Sequence, residues 1–543
     1  MRRLGVAAAV LAAALAFPLA ASARTTHTAT LARRGIAHAH GMGWIKSGEA
    51  SRYRADVYLA LRGQRFLPRL RGEVLSSQLA QVATLWSSYI NPRALALFTQ
   101  LRENVEYLQR HRIPADGTDV VADDGVVYRW FAGKGLEFHP LANFARLNDL
   151  LARKKLDQAQ QLADALVARA IPRTGRLLWE YAFPYGAGRP PWASGLAQAV
   201  AAQSLARASA ALGDPSLLAA ARKAYLALPG GLVMQLSSGP WVRLYGFDRE
   251  VVLNAQLQAI LSVQEYAQTA ADPDAAALAE RMLAAARGLL PRFDTGDWSR
   301  YELGGGYAKQ GYQEFVTNLL GKLAGTTEDP FWQEAATRFV NYTYEAPQVE
   351  QTGPVSPPVA YPQPLDDWLD SVQIPVTLSK RASLTLVVAG HVVTWSNQSR
   401  GSHVLVWKPG PDVAPGTYQA TIRAVDFTGR AASYPLSPVT VAWDTAPPPF
   451  TAQVDPATNT LTWSCDEPGT PWLDLKLQLS DPSFATPQQT IDLGQQPTSG
   501  TLQLAVPAGT WHAAVDATNS AGQTTRAFLP DLTGAAPPAQ PSP

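Results

Sequence analysis

The stretch LLPRFDTGDWSRYELGGGYAKQGYQEF, Leu289 to Phe315, gathers Tyr301, Tyr307 and Tyr312 around a run of glycines at the end of a long Ala/Leu-rich region. A phenol gives a proton readily. It takes one when a nearby cation has brought its pKa down from about 10. Its ring also packs on flat apolar faces. Other chemistries are poorly supplied: the chain has no P-loop, no strand followed by GxGxxG, no G-x-S-x-G elbow, no HExxH and no cysteine pairs. Cys465, the only cysteine, lies in the strand-like TLTWSCDEP and reads as a buried small hydrophobe. The eight histidines are scattered, with His27, His38 and His40 near the N-terminus. Carboxylates, tyrosines and arginines remain as the groups that could act, with no cofactor and no metal expected.

The scaffold for these residues is a chain of 543 residues, 46% hydrophobic and 17% charged, long enough for several domains. The first 23 residues, two arginines and an apolar run ending in Ala21-Ser22-Ala23, have the layout of a signal peptide cleaved after Ala23. The mature chain is therefore expected to be secreted, without a membrane span. Residues 24–76 read as a leader and N-terminal arm. From 77 to 346 the pattern is helical, as in ASGLAQAVAAQSLARASAAL and DAAALAERMLAAARGLLPRF, with apolar residues at i, i+3, i+4 and i+7. Irregular, aromatic-rich loops separate the helices: WEYAFPYGAGRPPW, SSGPWVRLYGFDRE and the tyrosine stretch. Helix pairs set around a ring, an (α/α) barrel or toroid, collect such loops at one end, where a concave site can form.

Residues 347–372 read as a proline-rich linker. Two β-sandwich modules of fibronectin III or immunoglobulin type are expected at 373–445 and 446–534, followed by a proline-rich tail at 535–543. The two modules repeat each other: Gly416-Thr417-Tyr418 through Gly429 aligns with Gly509-Thr510-Trp511 through Gly522 without a gap. With 46 basic and 44 acidic residues the formal charge is +2. No basic field exists to favour nucleic acid.

Five segments, in order, resemble the heparan-sulfate-type D-glucuronyl C5-epimerases. GKGLEFHPLANFARLN is similar to the family's opening helix signature and PPWASGLAQAVAAQSLARA to its next helix. WVRLYGFDREVVLNA, LLPRFDTGDWSRYEL and GYQEFVTNLL resemble its three tyrosine-bearing motifs. The resemblance runs from about Trp130 to Tyr344. It implies an (α/α) barrel that removes the C5 proton of a glucuronate residue in an acidic polysaccharide and returns it on the other face. It also implies that Tyr245, Tyr301 and Tyr312 are the site tyrosines. Two phenols facing each other across the sugar, Tyr301 and Tyr312, would serve as base and acid, the base shifted down by a cation. The chain departs from the family at several positions. Arg243 and Leu244 stand where acidic residues are usual, Gly304 where an arginine follows the second tyrosine, and Gln313 and Val316 where the last motif has histidines.

The cation must then come from elsewhere. Arg243, Arg249, Arg300 and Lys309 are the candidates, and nothing in the sequence selects among them. Trp192 and Trp241 read either as structural or as platforms for a sugar ring. Asn254 reads as a support for the Tyr245 loop or a contact to a sugar hydroxyl, Glu137 and His139 as groups capping or pairing near the Pro140 helix start, and Asp294 as a turn residue. Three functions fit: a uronate C5-epimerase, a polysaccharide lyase using the same enolate, and a non-catalytic glycan-binding scaffold. A homodimer is compatible with each.

Overall fold

The structure, a computed structural model, describes residues 27–480 and 488–535. The expected signal peptide lies outside the described residues, as does the tail beyond Ala535. The chain divides into two compact units, Met1–Thr343 and Tyr344–Pro543. The first is mainly helical and the second is built from β-strands. No helix among the described residues is long and apolar enough to cross a membrane.

The helical unit begins with α1 (27–41), α2 (Ser47–Phe66), α3 (Arg69–Thr84) and α4 (Asn91–Arg110). The sequence reading made residues 24–76 an arm, and the structure corrects this. Ile36, Tyr53, Val57, Leu75 and Leu79 are buried in the same core as the later helices. The arginines that made the segment look like an arm, among them Arg52, Arg54 and Arg62, occupy the solvent side of α2.

A small antiparallel sheet follows, β1 (Asp119–Val121), β2 (Val127–Phe131) and β3 (Gly135–Phe138). Then come α5 (Pro140–Ala152) and α6 (Leu156–Ala168), the hairpin β4 (Ile171–Arg173) and β5 (Arg176–Leu178), and α7 (Gly195–Leu212) and α8 (Pro215–Tyr225). The hairpin β6 (Val233–Leu236) and β7 (Gly239–Val242) leads to α9 (Leu253–Ala270), α10 (Pro273–Phe293), α11 (Gln310–Thr327) and α12 (Pro330–Tyr344).

Helices α5, α7, α9 and α11 neighbour one another in that order, and α6, α8 and α10 pack behind them. Helix α7 is buried along most of its length because its residues are small: Ala and Gly let neighbouring helices approach on several sides. Its ends are defined locally. The Ser194 hydroxyl accepts the Ala197 N–H, and Gly213 closes the helix at φ 71°. Asp214-Pro215 and Asp272-Pro273 start α8 and α10 in the same manner, an aspartate cap followed by a proline whose missing N–H costs nothing there.

In the second unit, β8 (Val349–Gln351), β10 (Val372–Leu378) and β13 (Gly401–Trp407) form one sheet. A second sheet has the order β12 (His391–Gln398), β11 (Ala382–Val388), β14 (Gly416–Val425), β15 (Ala431–Val441) and β9 (Val359–Ala360). Both sheets bury side chains in one core. Residues 347–372, read as a linker, therefore supply β8 and β9, short edge strands of the kind a proline-rich stretch tolerates.

The next module repeats the layout. Its sheets are β16 (Phe450–Asp455), β17 (Thr460–Cys465) and β20 (Ser499–Gln503), then β19 (Gln489–Gln496), β18 (Leu473–Ser480), β21 (Gly509–Thr518) and β22 (Thr524–Gly534). The two Gly-Thr-aromatic triplets open β14 and β21, and both strands shift register just past that aromatic residue. Cys465 is buried, and burial pushes its thiol up to about 11.

Candidate active site

A cleft of about 780 Å³ opens in the helical unit over the row α5, α7, α9 and α11. Each of these helices turns a stripe at three- and four-residue spacing toward it: Leu141, Ala145 and Asn148 from α5, Leu196, Val200, Gln203 and Arg207 from α7, Asn254 and Gln258 from α9, and Tyr312, Phe315 and Lys322 from α11. The loops and the small sheet add Arg129, Phe131, His139, Tyr181, Tyr185, Trp192, Tyr245 and Tyr301.

Backbone straps place the tyrosines. The Tyr245 segment is tied to the start of α7, where the Gly195 N–H donates to the Arg243 carbonyl (2.8 Å) and the Gly246 N–H to the Ala193 carbonyl (2.8 Å). Glycine is required at both contacts. A Cβ on Gly195 would lie 2.7 Å from the Arg243 oxygen, and one on Gly246 2.8 Å from the Ala193 oxygen. The Tyr301 loop is laid against the entry to α9, with the Leu303 N–H donating to the Val251 carbonyl (3.0 Å). Gln313 pins the same loop to α11: its buried amide oxygen accepts both the backbone N–H (3.0 Å) and the hydroxyl (2.5 Å) of Ser299. Tyr312 stands one residue away, in the first turn of α11.

The tyrosines form two groups. Tyr301 and Tyr312 meet edge to face with centroids 4.9 Å apart, so no sugar ring fits between them. This corrects the expected opposition of these two phenols: they share one wall. Tyr245 belongs to a second aromatic group. Its hydroxyl lies 3.5 Å from that of Tyr185, and its ring meets Trp192 edge to face at 5.7 Å. Trp192 is stacked on Tyr181 (4.1 Å) and donates its indole N–H to the Phe183 carbonyl (2.8 Å), so it is both buried support and cleft wall. Burial first, then the neighbouring phenols, push Tyr245 and Tyr301 above the ordinary phenol range. The downward shift expected of a base is absent at both, and at neutral pH they are proton donors.

Basic side chains other than the four expected stand at the cleft or beside it. Arg129, on β2, directly faces Asp119 on β1, and its Nε and Nη2 donate to the two Asp119 oxygens at 2.7 and 2.8 Å. It lies close enough to Tyr181 and Tyr312 to interact electrostatically with both. Lys134 holds its ammonium 5.2–5.7 Å from the rings of Phe131, Phe183 and Tyr185. His139 accepts the Ala142 N–H at Nδ1, capping α5. Burial, aided by Arg129, holds its imidazole down at about 4, so it is neutral and carries its proton on Nε2. At the far end Arg207 is paired with Glu265, which also accepts from Gln203 (2.6 Å). There the cleft meets a second, polar cavity that shares Gln203, Arg207, Gln258 and Lys322.

Several expected site residues lie elsewhere. Trp241 is fully buried and stacked on Phe293 (5.9 Å), because β7 turns it into the core. Arg243 does not line the cleft. Its backbone makes the strap to α7 and its Nη1 donates to the Asp248 carbonyl (3.0 Å). Arg300 is likewise outside, its Nη1 closing the glycine turn on the Gly305 carbonyl (2.5 Å), and Arg249 and Lys309 are not among the lining residues. Tyr307 donates to Asp297 (3.0 Å) and is structural. Asn254 and Trp192 do line the cleft. Tyr185 and Arg129 were missed. The aromatic crowding of the WEYAFPYGAGRPPW loop was the signal for the first, and no sequence signal marks the second. No group of three or more His, Cys, Asp or Glu side chains suited to a metal occurs among the described residues.

A search of the curated proteins finds no significant match. Solved structures with which the chain shares similarity include a GH76 α-mannanase from Bacteroides thetaiotaomicron, at 15% identity over 37% of this chain and 59% of that one, with a TM-score of 0.29. The chain is also similar to the endo-β-1,4-glucanase CMCax from Acetobacter xylinum (13% identity, 43% and 72% covered, TM-score 0.28). A third likeness is to fibronectin(III)-like modules of Clostridium thermocellum CbhA (11% identity, 34% and 94% covered, TM-score 0.16). Likenesses this loose carry no argument. The family comparison does: residues 174–341 match the model described as D-glucuronyl C5-epimerase C-terminus, a span that holds Tyr245, Tyr301 and Tyr312 with their straps and ends before α12 does. The match supports a carbohydrate-acting enzyme. Through residues 174–341, then, the chain is similar to the D-glucuronyl C5-epimerase C-terminus family.

Proposed function

We propose that the protein is an exported polysaccharide uronate C5-epimerase whose helical unit is an (α/α) toroid and whose second unit consists of two fibronectin III-type modules. The observation that carries this reading is the convergence of Tyr245, Tyr301 and Tyr312, from three separate chain segments, on one cleft. The sugar ring lies between the Tyr301–Tyr312 wall and the Tyr245–Tyr185 group. Tyr312 stands in the first turn of α11 and lines the cleft. It acts as the phenolate that accepts the C5 proton, and the electron pair of the C–H bond passes into the carboxylate to form an enolate. Tyr245, kept neutral by burial, delivers its own proton to the opposite face of C5. Tyr301 donates a hydrogen bond to the enolate oxygen as charge develops. The epimerised sugar leaves Tyr312 neutral and Tyr245 ionised, and proton exchange with solvent resets them.

Variants of the three phenols test this directly. Tyr312→Phe and Tyr245→Phe are expected to lower kcat on a glucuronate polymer by roughly 10²- to 10⁴-fold. Tyr307→Phe, which loses its Asp297 bond, should keep the wild-type rate while destabilising the unit by about 1 kcal/mol. Equal rates in all variants would remove the phenols from the mechanism. Unsaturated uronate among the products would replace epimerisation with elimination of the C4 substituent.

A further inference from the structure

We infer that Arg129 is the substrate-carboxylate receptor of this cleft, supplied by the β1–β3 sheet from outside the segment that matches the epimerase family. The inference rests on the uronate reading above and names the residue that this reading requires. Removing a proton beside a carboxylate demands a cation on that carboxylate.

The cations nearest in sequence to the tyrosines are committed elsewhere or face away. Arg243 and Arg300 are spent on backbone carbonyls, and neither lines the cleft. Of the cations that do line it, Arg207 is paired with Glu265 at the polar end, and Lys322 is shared with the second cavity. Arg129 alone among them lies at the aromatic end, within electrostatic reach of Tyr312 and Tyr181.

Its geometry suits the task. Asp119 takes the Nε hydrogen and one Nη2 hydrogen, which fixes the plane of the guanidinium. Both Nη1 hydrogens and the second Nη2 hydrogen remain for another acceptor, and those two nitrogens form the fork that meets a carboxylate in two parallel bonds. The sheet register supports this placement, since Asp119 is the direct cross-strand partner of Arg129. Phe131, two residues along β2, lines the same cleft, so this face of the strand is turned to the site.

The test compares binding of the full mature chain to an unsulfated glucuronate polymer and to the same polymer with its carboxylates reduced to alcohols. Wild type is expected to prefer the carboxylated polymer. Arg129→Gln should weaken binding to the carboxylated polymer by roughly tenfold or more and leave binding to the reduced one within about twofold. Arg129→Lys keeps the charge without the fork, so it should restore part of the preference, and it serves if the glutamine variant fails to fold. Lys134→Gln should leave the preference in place. An Arg129→Gln protein that melts with the wild type and keeps the full preference overturns the inference. So does equal loss on both polymers, which would make Arg129 merely structural. A wild type that binds neither polymer instead defeats the uronate reading and takes this inference with it.

Discussion

The phenols of Tyr245 and Tyr301 ionise above the usual range because burial disfavours the anion and neighbouring phenols repel it. The sign has a kinetic consequence: activity that needs neutral Tyr245 should persist past pH ~10, the ordinary phenol value, and the falling limb of a pH profile should lie above it. A second titration concerns stability. Glu137 is fully buried against the amides of Gln78, Gln81 and Gln100, and burial pushes its carboxyl up to about 8. The unfolded residue ionises near ~4.3, so the raised folded value means that stability is full below that pH and falls as pH rises through about 8. Denaturant unfolding of wild type and Glu137→Gln across this window should show a difference that grows with pH and then levels. A constant difference would place the carboxyl outside the network. Residue identity was legible only in part. Tyr245, Tyr301 and Tyr312 were reached through resemblance, and all three line the cleft. Trp192 and Trp241 sit in similar loops and could not be separated, because whether a strand turns its indole inward is decided by packing. Arg129 gave no signal, since its position depends on a sheet of strands three to five residues long.

Among the elements, the straps carry the mechanism's precision. Gly195→Ala would drive a methyl into the Leu232 and Arg243 carbonyls at 2.6 and 2.7 Å. The expected cost is about 1–3 kcal/mol in unfolding experiments. Turnover should fall further than stability does, as the Tyr245 segment moves away from α7. A glycine variant that loses stability without losing turnover would show that the strap only holds the fold. The helices themselves were plain in the sequence, because Ala- and Leu-rich runs of period 3.6 with Asp-Pro starts leave little choice. α2 was obscured by its exposed arginines, although Tyr53, Val57 and Ala60 carry the helical spacing on the buried side. β8 and β9 were hidden by the prolines around them.

At the scale of the molecule, each unit has its own core, and the chemistry proposed here needs only the helical one. The change from helix to strand near residue 344 was readable from composition, and the repeat between the two modules from one aligned segment. The corrected N-terminal boundary has a physical basis: α1 to α3 bury Ile36, Tyr53, Leu75 and Leu79 with the rest of the helical core. Removing residues 27–76 should therefore unfold the unit, where removing an arm would not. The central claim is proton abstraction at C5 of a uronate held in the aromatic cleft, and NMR of unsulfated and N-sulfated glucuronate polymers incubated with the protein in heavy water tests it most directly. The account predicts deuterium at C5, with iduronate signals appearing alongside it, and loss of both in Tyr312→Phe. Unchanged C5 protons on every uronate polymer, with a folded wild-type protein, would contradict it.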